Sequence, residues 1–245
     1  MPGTPRRSHL WPLFQAIAIG DRAAVQRRID ERPRLAVEPI AVAATRAESK
    51  SYFLPAVGHY VYEGDTALHI AAAGHHEDIV RDLVVRGAAP RARNRRGAEP
   101  LHYAADSATS SPAARSGAQA RTIAELIRAG ADPNAEDNDG VTPLHRAVRT
   151  RSASAVAALL GQGALPRQMS GRGSTPLHLA VQNTGRGGSG SPEARQRQAE
   201  IIRMLVEHGA RFSDRDRRGK RVSDCISPGR LAALGTPSID GASTR

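Results

Sequence analysis

An all-α solenoid of stacked helix pairs is the fold this sequence predicts, on three observations. The tetrapeptide Thr-Pro-Leu-His recurs in phase, Gly-Ala dipeptides punctuate the copies, and the apolar residues are mostly small and aliphatic. Aromatic residues are 3% of the 245, against 40% hydrophobic overall, so a core must come from Ala, Leu, Val and Ile. Close-packed helices suit that supply better than a barrel or sandwich, which draws on aromatic and β-branched side chains.

Thr142–His145 and Thr175–His178 are full copies of the tetrapeptide; Thr66-Ala67-Leu68-His69 and Glu99-Pro100-Leu101-His102 are near-copies. Their histidines, His69, His102, His145 and His178, are spaced by 33, 43 and 33 residues, a period of 33 with one excess of ten. Thr66 and Thr142 stand where a helix N-cap belongs, and Pro143 suits a first helical turn. Leu144, Ala147 and Val148 then form one helical stripe, and Val156, Leu159 and Leu160 a second. Gly163 can end that second helix in the left-handed conformation. Asp137–Gly140 is turn chemistry, predicting a hairpin-like finger between successive pairs. A pair this small cannot bury its apolar face alone, so neighbours must stack.

In chain order, residues 1–9 read as a disordered N-terminus and 10–36 as a capping helix pair, built on Pro12–Ile17 and Gly20–Val25. Residues 37–63 form an irregular insertion with Tyr52, Phe53, Tyr60 and Tyr62, either packed on the array or displayed. The array occupies 64–227, as repeats 64–96, 97–139, 140–172 and 173–218 and a cap at 219–227; 228–245 read as a disordered tail. Extra residues around Asp106–Gln119 and Thr184–Ala194 fall between the two helices of repeats two and four, and are expected to be flexible loops.

These residues resemble the ankyrin repeat. Gly130–Ala135 followed by Asp139–His145 follows that family's pattern almost letter for letter, and the Gly-Ala ends recur at Gly87, Gly130, Gly163 and Gly209. The resemblance covers about residues 10–36 and 64–227. It implies that the four histidines bond the fingers of their own or neighbouring repeats, and that a partner contacts the fingers and the concave face made by the first helices. Carried over by position, the partner-binding candidates are Arg93, Arg95 and Arg96 on the first fingertip and Glu136, Asp137 and Asp139 on the second. Arg146, Arg149, Gln182 and Asn183 are the candidates on the concave face, with Asp106 beside them and Tyr103 in the column of Arg146. The fingertip charges are expected to be exposed and dispensable for folding.

The remaining chemistry argues for binding rather than catalysis. The repeated histidines lie on successive layers and do not converge, so no metal is expected. His75-His76-Glu77-Asp78 reads as a solvated helix turn. Gly185–Ser191 lacks the Gly-Lys-Ser/Thr of a phosphate loop and reads as a linker. There is no Gly-x-Ser-x-Gly elbow, and neither a catalytic residue nor a cofactor is expected. The formal charge of +11 invites a nucleic-acid or acidic-polymer reading, but Lys50 and Lys220 are the only lysines among 35 basic residues. Such a skew looks like codon preference, and an acidic second tip interrupts any phosphate-tracking surface. Cys225 stands alone, excluding an intrachain disulfide. No apolar run approaches the roughly 18 residues of a membrane helix. Arg6-Arg7 before Leu10–Phe14 mimics an export signal, but Pro12 and Gln15 interrupt the apolar stretch. The expectation is a cytoplasmic, monomeric, non-catalytic module for an unidentified protein partner.

Overall fold

The computed structural model describes residues 8–41, 49–106, 112–182 and 191–226. The expected tails (apart from Ser8 and His9), Asn183 and parts of 37–63 and of both insertions therefore lie outside the described residues. Within them the protein is a solenoid of ten α-helices with one two-stranded hairpin. Helices α1 (Trp11–Ala18) and α2 (Arg22–Glu31) open it; α3 (Ala67–Ala73) and α4 (Glu77–Val85), and α5 (Pro100–Ala105) and α6 (Pro112–Arg128), follow. Helices α7 (Pro143–Arg149) and α8 (Ala153–Gly161), then α9 (Pro176–Val181) and α10 (Pro192–Glu207), complete the pairs.

The first helices begin as the tetrapeptides predict. Thr142 and Thr175 accept hydrogen bonds from the backbone N–H of His145 and His178, and a proline occupies the first turn of α5, α7 and α9. Leu68, Leu101, Leu144 and Leu177, one per repeat, are at most 1% exposed, each contributing about 1.5–3 kcal/mol of burial. Asp21 caps α2 through the N–H of Ala24. The buried residues form one continuous apolar cluster from Leu10 to Val222.

Successive fingers are zipped edge to edge. Arg95 N–H donates to Glu63 O, Asn138 N–H to Arg96 O, Gly171 N–H to Asp139 O and Arg217 N–H to Gly173 O. This close approach dictates glycine at Gly140, where φ is +65° and a Cβ would meet the Gly171 nitrogen at 2.5 Å.

The pairs alternate in kind with a 76-residue period, which relates His69 to His145 and His102 to His178. In repeats one and three a single residue with positive φ, His75 or Arg151, makes a tight turn into a nine-residue second helix. Repeats two and four instead have second helices of 17 and 16 residues. In their described parts the insertions expected as loops are helical at 112–119 and 192–194, which extend α6 and α10, and Ser191 is the N-cap of α10 rather than linker. Each long helix carries a buried glutamine that closes the gap to its first helix. Gln119 Nε2 donates to Ala104 O at 2.9 Å, and Gln198 Nε2 to Ala180 O at 2.6 Å. Gln119 Oε1 also accepts from the hydroxyls of Ser152 and Ser154 in the next repeat.

Histidines 75 and 76 are not a solvated turn. His75 is buried and its Nε2 donates to Ala104 O at 3.2 Å, while His76 is the N-cap residue of α4. The segment 37–63 packs on the array in its described parts. Ile40 pairs with Asp65 and Gly64 through backbone bonds; strands β1 (Phe53–Leu54) and β2 (His59–Tyr60) form an antiparallel hairpin; and Tyr52, Leu54, Val57 and Val61 are buried. Tyr52 meets Trp11 edge-on, with ring centroids 5.8 Å apart.

Gln119→Ala should cost about 1–3 kcal/mol, because it removes a buried bridge: the Ala104 carbonyl keeps only His75, and the Ser152 and Ser154 hydroxyls lose their shared acceptor. Chemical denaturation checks this; a loss under about 0.5 kcal/mol would mean the bridge is dispensable.

Candidate functional site

The site rests on four imidazoles held in one orientation. Backbone N–H groups of Thr66, Glu99 and Thr142 point at Nδ1 of His69, His102 and His145. Each Nδ1 must then be an acceptor, leaving the proton on Nε2. That proton is donated one repeat onward: His69 to Ala98 O at 3.1 Å, His102 to Val141 O at 3.0 Å and His145 to Ser174 O at 3.0 Å. His178 follows with Lys220 O at 3.2 Å. Burial lowers the affinity of His69, His102 and His145 for a second proton, and pushes His102 down to about 4.

On the concave side, Asp65 is fully buried at the start of repeat one. It accepts from Tyr103 Oη at 2.8 Å, Asn94 Nδ2 at 2.9 Å and the Tyr62 N–H at 2.7 Å. Burial, then the adjacent carboxylate, holds the Tyr103 phenol well above its ordinary pKa, so it remains a donor. His59, from the hairpin, stacks on Tyr103 with centroids 4.2 Å apart.

The next layer supplies Arg146, whose guanidinium joins Asp106 and Asp137 at 3.0 Å each. Burial opposes its charge, but the two carboxylates outweigh that and raise its pKa. Burial also opposes ionisation of Asp137, yet bonds from Arg146 and from the N–H groups of Val141 and Asp139 hold it below the usual carboxylate range. Arg149 Nη2 lies 3.6 Å from Asp106.

Together these groups wall a concave cavity of about 200 Å³ between the hairpin, the first two fingers and helices α5 and α7. Arg96, Asp139 and Arg149 are its exposed members, and Arg96 lies over the Tyr62 ring at 5.1 Å. A second cavity of about 140 Å³ adjoins it, lined by Arg149, Arg151, Gln182 and Gln198 among others.

The structure places the sequence candidates unequally. Arg93 is exposed and donates to Glu136 O; Arg95 is exposed, 5.6 Å from Tyr62; and Glu136 accepts from Gln168. Arg149 and Gln182 are exposed on one concave column, equivalent to Asp106 in repeat two. Arg146 and Asp137 are not surface charges: their side chains are 10% and 8% exposed and they pair with each other. The expectation that every fingertip charge is exposed fails at Asp137, because Arg146 reaches the finger from below. Asn183 lies outside the described residues. Sequence reasoning missed His59, Asn94 and Asp65; only the acid directly before the Thr66 cap hinted at the last.

Two predictions follow from this geometry. Asp137→Lys should cost roughly 3–5 kcal/mol by setting a like charge against the nearly buried Arg146 guanidinium, which keeps only Asp106, whereas Asp139→Lys should cost under about 1 kcal/mol; equal thermal shifts would refute the distinction. The second concerns acid. His102 titrates near 6.5 when unfolded and about 4 when folded, so its contribution is complete above 6.5 and lost as pH falls toward 4. That window carries on the order of 3 kcal/mol. Denaturant midpoints across it should fall for the wild type and fall distinctly less for His102→Gln; equal slopes would contradict the assignment.

The comparisons agree with the geometry. None of the curated proteins compared with the chain matches it. The family model for ankyrin repeats (3 copies) matches residues 13–111 and again residues 110–216. With a regular array of helix pairs, zipped fingers and one histidine bridge per layer, the chain belongs to the ankyrin-repeat family.

Proposed function

We propose that this protein is a non-catalytic, monomeric, cytoplasmic module that binds a protein partner through its first two fingers and the concave cavity beneath them. Ankyrin repeats are in general protein–protein interaction modules, and no helix among the described residues is long and apolar enough to cross a membrane. One observation carries the choice of surface. Non-repeating polar side chains from the hairpin, two fingers and two first helices gather around one concave cavity, while the scaffold beneath them repeats.

Its exposed groups, Arg96, Arg149 and Asp139, carry both signs, with aromatic Tyr62 and His59 between them. That composition favours a polar polypeptide with charges of both signs, bound transiently and in a salt-sensitive way. A phosphate backbone is served less well, since the carboxylates repel it.

The test is charge reversal that spares the buried pair. Arg96→Glu with Arg149→Glu is one variant, and Glu136→Lys with Asp139→Lys the other, measured against the partner isolated from the native cell. Both should stay folded, and at least one should slow association at low salt by about tenfold or more. Unchanged binding in both would move the site elsewhere. Weakening in the first and tightening in the second, for any DNA sequence, would identify a nucleic-acid binder instead.

A further inference from the structure

We infer that the last finger, residues 211–221, is a separate docking surface for an acidic polypeptide segment carrying apolar side chains. Six exposed cations crowd this one hairpin: Arg211, Arg215, Arg217, Arg218, Lys220 and Arg221. None of them is ion-paired with a carboxylate among the described residues. The carboxylates nearby are already engaged. Asp216 accepts the N–H groups of Arg218 and Lys220, Asp224 that of Arg221, and Asp214 that of Arg211 together with the Arg167 guanidinium. Several arginines elsewhere have a partner: Arg22 grips Asp82, Arg86 meets Asp30, and Arg95 and Arg96 lie over Tyr62.

Two departures from the local rules mark the finger. Arg215 and Arg221 are directly opposite one another in an antiparallel bridge, where like charges repel. Arg221 also holds the position that Glu99, Thr142 and Thr175 hold in earlier repeats, the N-cap of a first helix. An arginine side chain cannot accept a backbone N–H, and here the chain makes only a three-residue turn, Ser223–Cys225. Arg215 Nη1 donates to Gly219 O at 2.7 Å, which leaves its charge without a carboxylate partner among the described residues; positions that break a local rule at such cost are where function is expected. An anion over the finger would satisfy both.

The neighbouring finger decides the class of anion. Leu165 and Met169 hold there the positions that Arg211 and Arg215 hold in the last finger, and they are 55% and 46% exposed. The two fingers are joined by the Arg167–Asp214 pair and by Arg217 N–H to Gly173 O. Cations beside aliphatic side chains match acidic and apolar residues alternating along a polypeptide. A nucleic-acid track would need to continue basic along the fingers; the neighbouring finger offers Arg167, already on Asp214, and Arg172 beside this apolar pair, and the finger before it exposes Glu136 and Asp139.

The experiment uses the full chain and a fluorescent peptide of repeated Glu-Glu-Leu-Asp, read by anisotropy at roughly 150 mM salt. Wild type should bind it. Arg215→Glu with Arg221→Glu, and separately Arg218→Glu with Lys220→Glu, should each weaken binding by about tenfold or more. Leu165→Ser with Met169→Ser should weaken it several-fold. Arg27→Glu with Arg34→Glu, an equal charge change on exposed residues of the opposite end, should leave it unchanged. Circular dichroism melting verifies that each variant is folded, and the two finger pairs guard against one of them failing. Absence of peptide binding overturns the proposal, as does equal loss in the control, which would mean net charge alone. Duplex DNA competing as well as peptide, with the leucine–methionine variant unaffected, overturns it in favour of a phosphate-binding finger.

Discussion

A single hydrogen bond, from an imidazole Nε2 to the carbonyl just ahead of the next repeat's first helix, holds the layers of this array in register. It is made four times, by His69, His102, His145 and His178. Each bond nets only about 0.5–1.5 kcal/mol, but an unmet donor and acceptor in the same buried place would cost more. The bond also dictates its surroundings. The ring must be neutral, so burial must suppress its protonation; Nδ1 must accept, so an N–H must face it; and the finger beyond must approach closely, so glycine fills positions such as Gly140.

Everything irregular is attached to that register. Once the layers are fixed, His75 can enter the next repeat to reach Ala104, and Gln119 can span from Ala104 to Ser152. The same layers bring Asp106 and Asp137, on either side of α6, to one guanidinium on α7. That pair is a structural floor. Above it, Arg96, Asp139 and Arg149 remain in solvent, and the proposed partner contact concerns those residues. On the proposed reading, folding and binding draw on neighbouring charges of the same finger, and burial separates the two roles.

Much of the fold was legible because its signals repeat. Thr-Pro-Leu-His names a cap, a first turn, a core residue and an interlayer bond, and four in-phase copies leave little room for another reading. What the sequence concealed depends on contacts made once. The 37–63 segment could not be placed because His59 on Tyr103 is one stacking contact across a large sequence separation. Arg146 looked like a surface residue since its partners stand 40 and 9 residues away. The 112–119 stretch resembled a loop because Ser116 and Gly117 interrupt an otherwise helix-forming run, while Gln119 anchors it from inside. His75 and His76 looked solvated because the positive φ that turns His75 inward has no sequence mark on a non-glycine residue.

The interlayer bond can be observed directly in an imidazole-optimised proton–nitrogen NMR spectrum of the uniformly labelled protein near neutral pH. His69, His102, His145 and His178 should carry their proton on Nε2 with Nδ1 unprotonated, and the first three should remain neutral as the sample is acidified through the ordinary histidine range near 6.5. Nδ1 protonation of any of these four rings, or imidazolium signals from His69, His102 or His145 at about pH 6.5 while the protein is still folded, would contradict the account.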